Sequence, residues 1–319
     1  MDGELDKIKK ILIYESNIAF KRVLLRFFRE HNFKVESFDN PKDLFNYPLK
    51  TKISGLFISD DAFSSKEEAK QLIERFRKKF PKIVICVSSN KAENEFPCAL
   101  NKTIQYGVIE RKLTVEFYKQ DFQQRKSKFN FVGVAIASST GGPITLQHYF
   151  SNLKYTEKAA FFIVLHAPAW MLESYAKKLD SVSPLEIKLG INGTPIKPGV
   201  VYVAPGDFHM LIDGKERKIK LTKDEPYNFL RPAADPLFFS VAENFTTKSL
   251  GVVFTGMGYD GSLGSGKIHA AGGKVLVQSP DTAVIHSMPK SVIDLGIADR
   301  IEPLGKMAQA TIEMIEELY

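Results

Sequence analysis

Cysteine is scarce in this chain: 319 residues hold only Cys86 and Cys98. Their spacing matches no metal-ligand pattern, so neither a disulfide framework nor a zinc site is readable, and the cytosol is the default compartment. Long apolar runs are lacking too. Stretches such as FNFVGVAIA fall far short of the roughly 20 residues that a membrane helix requires, so no membrane insertion is expected. The opening MDGELDKIKK has neither the apolar centre nor the small-residue cleavage site of an export signal. There is no internal repeat and no low-complexity tract. Lys and Arg are not gathered with aromatics into one stripe, which disfavours nucleic-acid binding. The net charge of +7 then reads as a solvated surface, or else as a basic patch for an acidic partner. The composition, 44% hydrophobic and 25% charged, is that of a globular protein long enough for about two domains.

Strand-like and helix-like runs alternate throughout, which predicts an α/β fold on mostly parallel sheets. In the first part, ILIY, KVESF, GLFIS, IVICVSS and YGVIE read as five strands. IAFKRVLLRFFREH and KEEAKQLIERFRKKF carry helical periodicity. This pattern predicts a doubly wound five-stranded domain over residues 1–116. A polar, basic stretch comes next, read as a linker over 117–130 and helical in part. The second domain, 131–319, opens with FVGVAIA and adds strands at AAFFIVL, VVYVAP, LGVVF and KVLVQ. Helices are predicted after Pro143, at WMLESYAKKL, around DPLFFSVAENF, at GSLGSGKIHAAG and at the C-terminus.

Three of those strands end in chemistry. FVGVAIA runs into Ser138-Ser139, FFIVL into His166, and LGVVF into TGMGYDG with Asp260. In open parallel sheets, ligands bind just beyond the C-terminal strand ends, so these groups can converge although they are far apart in sequence. A serine hydroxyl is a poor nucleophile until a base takes its proton. An imidazole does this near neutral pH, and a carboxylate fixes its tautomer. A strand–turn–helix placement would expose the serine and aim amides at a developing oxyanion. Each residue also has a plainer role. A serine before a helix is most often an N-cap, and an aspartate in a glycine loop often supports a turn. A phosphate loop fits less well, because Ser-x-Gly-Gly lacks both the Gly-x-Gly-x-x-Gly spacing and the Gly-Lys-Ser/Thr ending. His148, His31 and His269 have only helix context.

The stretches IASSTGGP, LHAP, PGVVYVAPGDFHM, LRPAADPLFFSVAE, GVVFTGMGYDGSLG and HSMPKSVIDLGIAD occur in order across residues 131–319. Together they resemble the catalytic domain of the bacterial chemotaxis receptor methylesterases, the protein-glutamate methylesterase and glutamine deamidase family of CheB type. The resemblance implies a Rossmann-like α/β domain with Ser139, His166 and Asp260 as triad. It places the Met257 amide in the oxyanion hole, where the Thr140 amide is added on geometric grounds, and it needs no cofactor for the esterase. His209 is expected near the site without an assigned role. The implied substrates are methylated chemoreceptor cytoplasmic domains. Three positions depart from the pattern. Ala137 replaces a glycine, Leu165 a glutamine and Tyr259 an asparagine; the last two are expected to alter the substrate rim. A non-catalytic signalling adaptor on the same fold, and a dinucleotide-binding oxidoreductase, remain as rival readings.

The first domain resembles a response-regulator receiver, which precedes the esterase in this family. Asp60 then aligns with the phosphoacceptor, with Asp61 beside it. Glu15, Ser88 and Lys112 stand for an acid, a hydroxyl and the lysine of that site. Ser16 occupies the place of a second acid, and Leu113 that of a proline. The resemblance leaves room for Mg2+ at Glu15 and Asp60, weakened by the lost carboxylate. Either Asp60 takes a phosphoryl group from a chemotaxis histidine kinase, or the domain is a degenerate receiver serving as a docking or inhibitory surface.

Overall fold

The computed structural model describes residues 10–319 except 31, 50–51, 82, 90–98, 102–105 and 122–125. It divides into two compact units, Met1–Phe117 and Tyr118–Tyr319. Among the described residues no helix is long and apolar enough to cross a membrane.

The first unit is built on β1 (Lys10–Tyr14), β2 (Lys34–Phe38), β3 (Gly55–Ser59), β4 (Val84–Ser89) and β5 (Ala99–Asn101). All neighbours pair in parallel in the order β2-β1-β3-β4-β5, the doubly wound order of flavodoxin-like folds. The helices are α1 (Ile18–Glu30), α2 (Pro41–Phe45), α3 (Lys66–Lys79) and α4 (Tyr106–Asp121). The side chains of β3 are buried on both faces of the sheet, as expected for a central parallel strand. Phe27, Phe28, Phe57 and Phe117 fill one side, and Leu56, Ile58, Leu72 and Phe76 the other.

One predicted strand is corrected here: YGVIE opens α4 instead. Ile109, Leu113 and Phe117 are buried in the same cluster as Phe28, and their four-residue spacing is a helical stripe. A five-residue window hides that repeat. The buried Cys86 of β4 is disulfide-bonded, a link that the cysteine spacing did not predict. Cys98 lies outside the described residues.

The second unit holds a seven-stranded sheet of β6 (Val132–Ser138), β7 (Ala159–Leu165), β8 (Glu186–Leu189), β9 (Val200–Val203), β12 (Ser249–Val253), β13 (Lys274–Gln278) and β14 (Arg300–Glu302). Every pairing is parallel, in the order β14-β13-β12-β6-β7-β9-β8. With β6 as the first strand, six of these reproduce the Rossmann order, and β8 is added at one edge. The direction of winding reverses between β6 and β12. A separate antiparallel hairpin joins β10 (His209–Asp213) and β11 (Lys218–Thr222). The helices are α5 (Gly142–Asn152), α6 (Ala169–Asp180), α7 (Ala234–Phe245), α8 (Ser262–Ala270), α9 (Ser287–Ile293) and α10 (Leu304–Leu318).

Side chains of α5, α6 and α10 cover one face of the sheet in a continuous core that includes Leu146, Phe150, Leu172, Met314 and Ile315. On the other face α7 brings Phe245 against β6. A Cβ on Gly133 would lie 2.6 Å from that ring, so the glycine makes room for it. Phe129 stacks on Phe245 with centroids 4.2 Å apart. Phe129 is buried although it falls in the stretch read as linker, whose end is thus built into the second core. Emptying this aromatic site with Phe245→Ala should cost about 3–5 kcal/mol, read as a lower urea midpoint of the full chain.

Candidate active site

The edge of the sheet at the reversal point is organised by backbone bonds that continue past the strands. Ser138 is the last residue of β6 and pairs with Leu165 of β7. One residue further on, the His166 N–H donates to Ser138 O at 3.0 Å, and the Ser139 N–H donates to Thr255 O at 3.0 Å. Ser139 therefore sits between His166 and the loop after β12. The chain then turns sharply into α5. Gly141 is the cap residue with φ 83°, a conformation that disfavours any Cβ. Ser139 is thus not the N-cap. The Ser138 hydroxyl is buried and donates to Thr255 O at 3.1 Å, a structural role that leaves Ser139 as the serine at the elbow.

His166 and Asp260 meet: Nε2 and Oδ2 are 2.9 Å apart, and the Asp260 side chain is 2% exposed. With Nε2 turned to the carboxylate, Nδ1 is the ring nitrogen that remains for a nucleophile. In the chymotrypsin arrangement the two nitrogens have the opposite roles. Asp260 is held by more than the imidazole. Ala234 N–H donates to Oδ2 at 2.6 Å, and Asp235 N–H to Oδ1 at 3.0 Å. Gly261 N–H also donates to Oδ1, at 3.0 Å. The first two amides open α7, so the carboxylate occupies a helix N-terminus, where the dipole favours a negative group.

Two further amides are available to a developing oxyanion. Among the described residues, neither the Thr140 N–H nor the Met257 N–H has an acceptor within the chain. Their carbonyl and loop neighbours, by contrast, are firmly bonded. The Thr255 hydroxyl donates toward Thr140 O and Ile285 O and accepts from the Ile285 N–H. The Gly258 N–H donates to Ser287 Oγ. A Cβ on Gly256 would come within 2.1 Å of Met288 Sδ and 2.8 Å of Ser139 Cβ, so only glycine lets this loop approach the serine. Met257 and Tyr259 are exposed above it, 75% and 44%. Leu165, expected on the rim, is fully buried in the core instead: it belongs to β7, and the strand ends before the crevice begins.

In the first unit the residues expected to form a receiver site are only partly gathered. Glu15, directly after β1, is buried. It accepts from Asn17 N–H at 2.8 Å and from the Ser88 hydroxyl. Asp60, in the 3-10 turn after β3, accepts from Ser89 Oγ at 2.6 Å. The hydroxyl on Asp60 is thus that of Ser89, while Ser88 serves Glu15. Asp61 is exposed on the same turn. Lys112 does not follow a strand end but lies inside α4. The lysine that follows β5 in sequence is Lys102, which lies outside the described residues; the short run ALNK was the missed signal. Among the described residues no three His, Cys, Asp or Glu side chains are placed to hold a metal ion. With Ser16 for the second acid and both Glu15 oxygens accepting internal hydrogen bonds, the donor set does not fit Mg2+.

The crevice of the second unit therefore has the parts of a serine hydrolase on a Rossmann-ordered sheet. The CheB methylesterase family model matches residues 134–311, more than half of the chain and a span that includes Ser139, His166 and Asp260, and the chain belongs to that family. The protein-glutamate methylesterase/protein-glutamine glutaminase of Pyrococcus abyssi (strain GE5 / Orsay) is 39% identical over 187 residues, 58% of this chain and 51% of that protein. Its namesake in Thermotoga maritima is 40% identical over 184 residues, 57% and 54%. The chain spans about half the length of the curated relatives it matches. The crystal structure of the Thermotoga maritima CheB methylesterase catalytic domain superposes with a TM-score of 0.56 at 38% identity, over 59% of this chain and all of that one.

The two serines separate experimentally. Ser139→Ala should abolish covalent labelling by a fluorophosphonate probe. Ser138→Ala should keep labelling largely intact while lowering stability by about 1 kcal/mol through the lost buried hydrogen bond.

Proposed function

We propose that the second unit hydrolyses glutamyl methyl esters on chemoreceptor cytoplasmic domains, and that the same site deamidates receptor glutamines. The contact that carries this reading is His166 Nε2 to Asp260 at 2.9 Å, with the His166 N–H bonded to the carbonyl of Ser138, the residue before Ser139. In the first step Ser139 Oγ attacks the ester carbonyl while His166 Nδ1 takes its proton. Asp260 orients the imidazolium that forms. The oxyanion lies against the Thr140 and Met257 amides, which have no other acceptor among the described residues. His166 then hands the proton to departing methanol, leaving an acyl-enzyme. Water attacks this ester with His166 again as base, and Ser139 is released. With a glutamine substrate the leaving group is ammonia and the other steps are the same. Met257 and Tyr259 are exposed side chains beside the acid and stand where a substrate protein would touch.

For the first unit we favour a docking surface over a phosphoryl switch. Glu15 and Asp60 already accept serine hydroxyls, and one metal-binding carboxylate is replaced by Ser16. The location is taken to be cytoplasmic, where receptor tails and a chemotaxis histidine kinase would be met.

Methanol release from methylated receptor is the direct test. Ser139→Ala should fall to the background rate. Asp260→Asn should lose on the order of 10⁴-fold in kcat, because the amide presents a donor to the groups that donate to the carboxylate. Equal release by wild type and Ser139→Ala would sink the esterase reading. Separately, phosphotransfer from a histidine kinase in the presence of Mg2+ should leave no stable label on the first unit. Label that is lost in Asp60→Asn would restore the switch.

A further inference from the structure

Asp260 is held by the first amides of α7, so whatever fixes that helix end also fixes the acid. His209, the first residue of β10, is 2% exposed and does not reach the crevice surface. Its ring nevertheless has two defined partners. The Ala233 N–H donates to Nδ1 at 3.3 Å, and Nε2 lies 3.2 Å from Glu225 O. An amide can only donate and a carbonyl can only accept, so the ring must be neutral with its proton on Nε2. Ala233 is the cap residue of α7. The next two amides, of Ala234 and Asp235, are those that clamp Asp260. An unbroken series of contacts thus runs from His209 through three consecutive backbone amides to Asp260 and on to His166.

The hairpin that carries His209 is tied to the same helix further along. The Ile212 N–H donates to Ser240 Oγ, and Asn244 Nδ2 donates to Ile212 O. One strand therefore holds α7 at its start, in its middle and in its last turn. The helix end cannot slide along its axis without breaking one of these bonds.

We infer that His209 is a positioning residue for the esterase. As a neutral acceptor it caps the Ala233 amide, sets the N-terminal turn of α7 and thereby holds Asp260 in register with His166. It touches neither substrate nor the reacting atoms. The inference rests on the hydrolase reading above, and the experiment separates the two. Three proteins are compared with wild type and Ser139→Ala: His209→Phe, which fills the same space without an acceptor; His209→Asn, whose Oδ1 can accept near the Nδ1 position; and His209→Gln, which keeps reach toward Glu225. His209→Phe should lower kcat by up to about 10²-fold, since small misplacements of catalytic groups cost that much, with KM largely unchanged. His209→Asn should recover most of the loss and His209→Gln less. A second readout does not depend on turnover: the downfield proton resonance of His166 Nε2–H bonded to Asp260. It should be lost or shifted in His209→Phe and restored in His209→Asn. An unchanged resonance in a folded His209→Phe protein overturns the proposal, and so does an equal loss of kcat in the Phe and Asn variants. If wild type and Ser139→Ala release methanol equally, the hydrolase reading fails, while the His166 resonance still decides the role of His209.

Discussion

The site depends on one buried carboxylate at a helix N-terminus. Asp260 takes amide donors from Ala234, Asp235 and Gly261 as well as the imidazole of His166. A buried acid with incomplete hydrogen bonding is expensive, and here the expense is offset by amides that a helix start must satisfy anyway. Asp260 is therefore the cap that α7 otherwise lacks, for Ala233 has no side chain able to provide one. Under the proposed hydrolase reading, stability and catalysis draw on the same group.

Ser139 and His166 are placed by a different device. Parallel strands offer evenly spaced bonds, and here the ladder extends one step beyond β6, β7 and β12. Ser139 N–H to Thr255 O and His166 N–H to Ser138 O are those extra steps. Register alone brings Ser139, His166 and the Thr255 loop to one edge. Side chains then refine the loop: Gln278 Oε1 accepts from the Thr255 N–H, and the Thr255 hydroxyl ties Thr140 to Ile285. Among the described residues, the amides of Thr140 and Met257, which follow Ser139 and Gly256 in sequence, are left without an acceptor.

Much of the second unit was legible in the residues because buried parallel strands are near-continuous apolar runs. VGVAIAS, AAFFIVL and SLGVV announce themselves, and the polar residues just past their ends name the chemistry. The weaker elements were not legible for physical reasons. EIKL and RIE lie at the two edges of the sheet and are half polar. The hairpin of β10 and β11 lies apart from the sheet, so its short alternation has no long apolar neighbour. YGVIE looked like a strand because its helical stripe shows only over about three turns. That error moved the expected lysine to Lys112, well past the true strand end. Leu165 was expected on the rim because it departs from the family pattern, although the run AAFFIVL already placed it in the buried strand.

The two units meet the same demand in different ways. Each sets acids at the C-terminal ends of parallel strands. In the second unit the acid is held by main-chain amides, whose placement is set by the start of α7. Neither Leu165 nor Tyr259 supplies a side-chain hydrogen bond to Asp260. In the first unit Glu15 accepts from the Asn17 N–H and the Ser88 hydroxyl, and Asp60 from the Ser89 hydroxyl. Receiver chemistry needs several carboxylates around one metal ion, and each of them is a side chain that one codon can delete. Ser16, next to Glu15, offers a hydroxyl where such a set would use a carboxylate. Asp260 is thus held chiefly by backbone amides, whereas Glu15 and Asp60 each take a serine hydroxyl that a single substitution would remove.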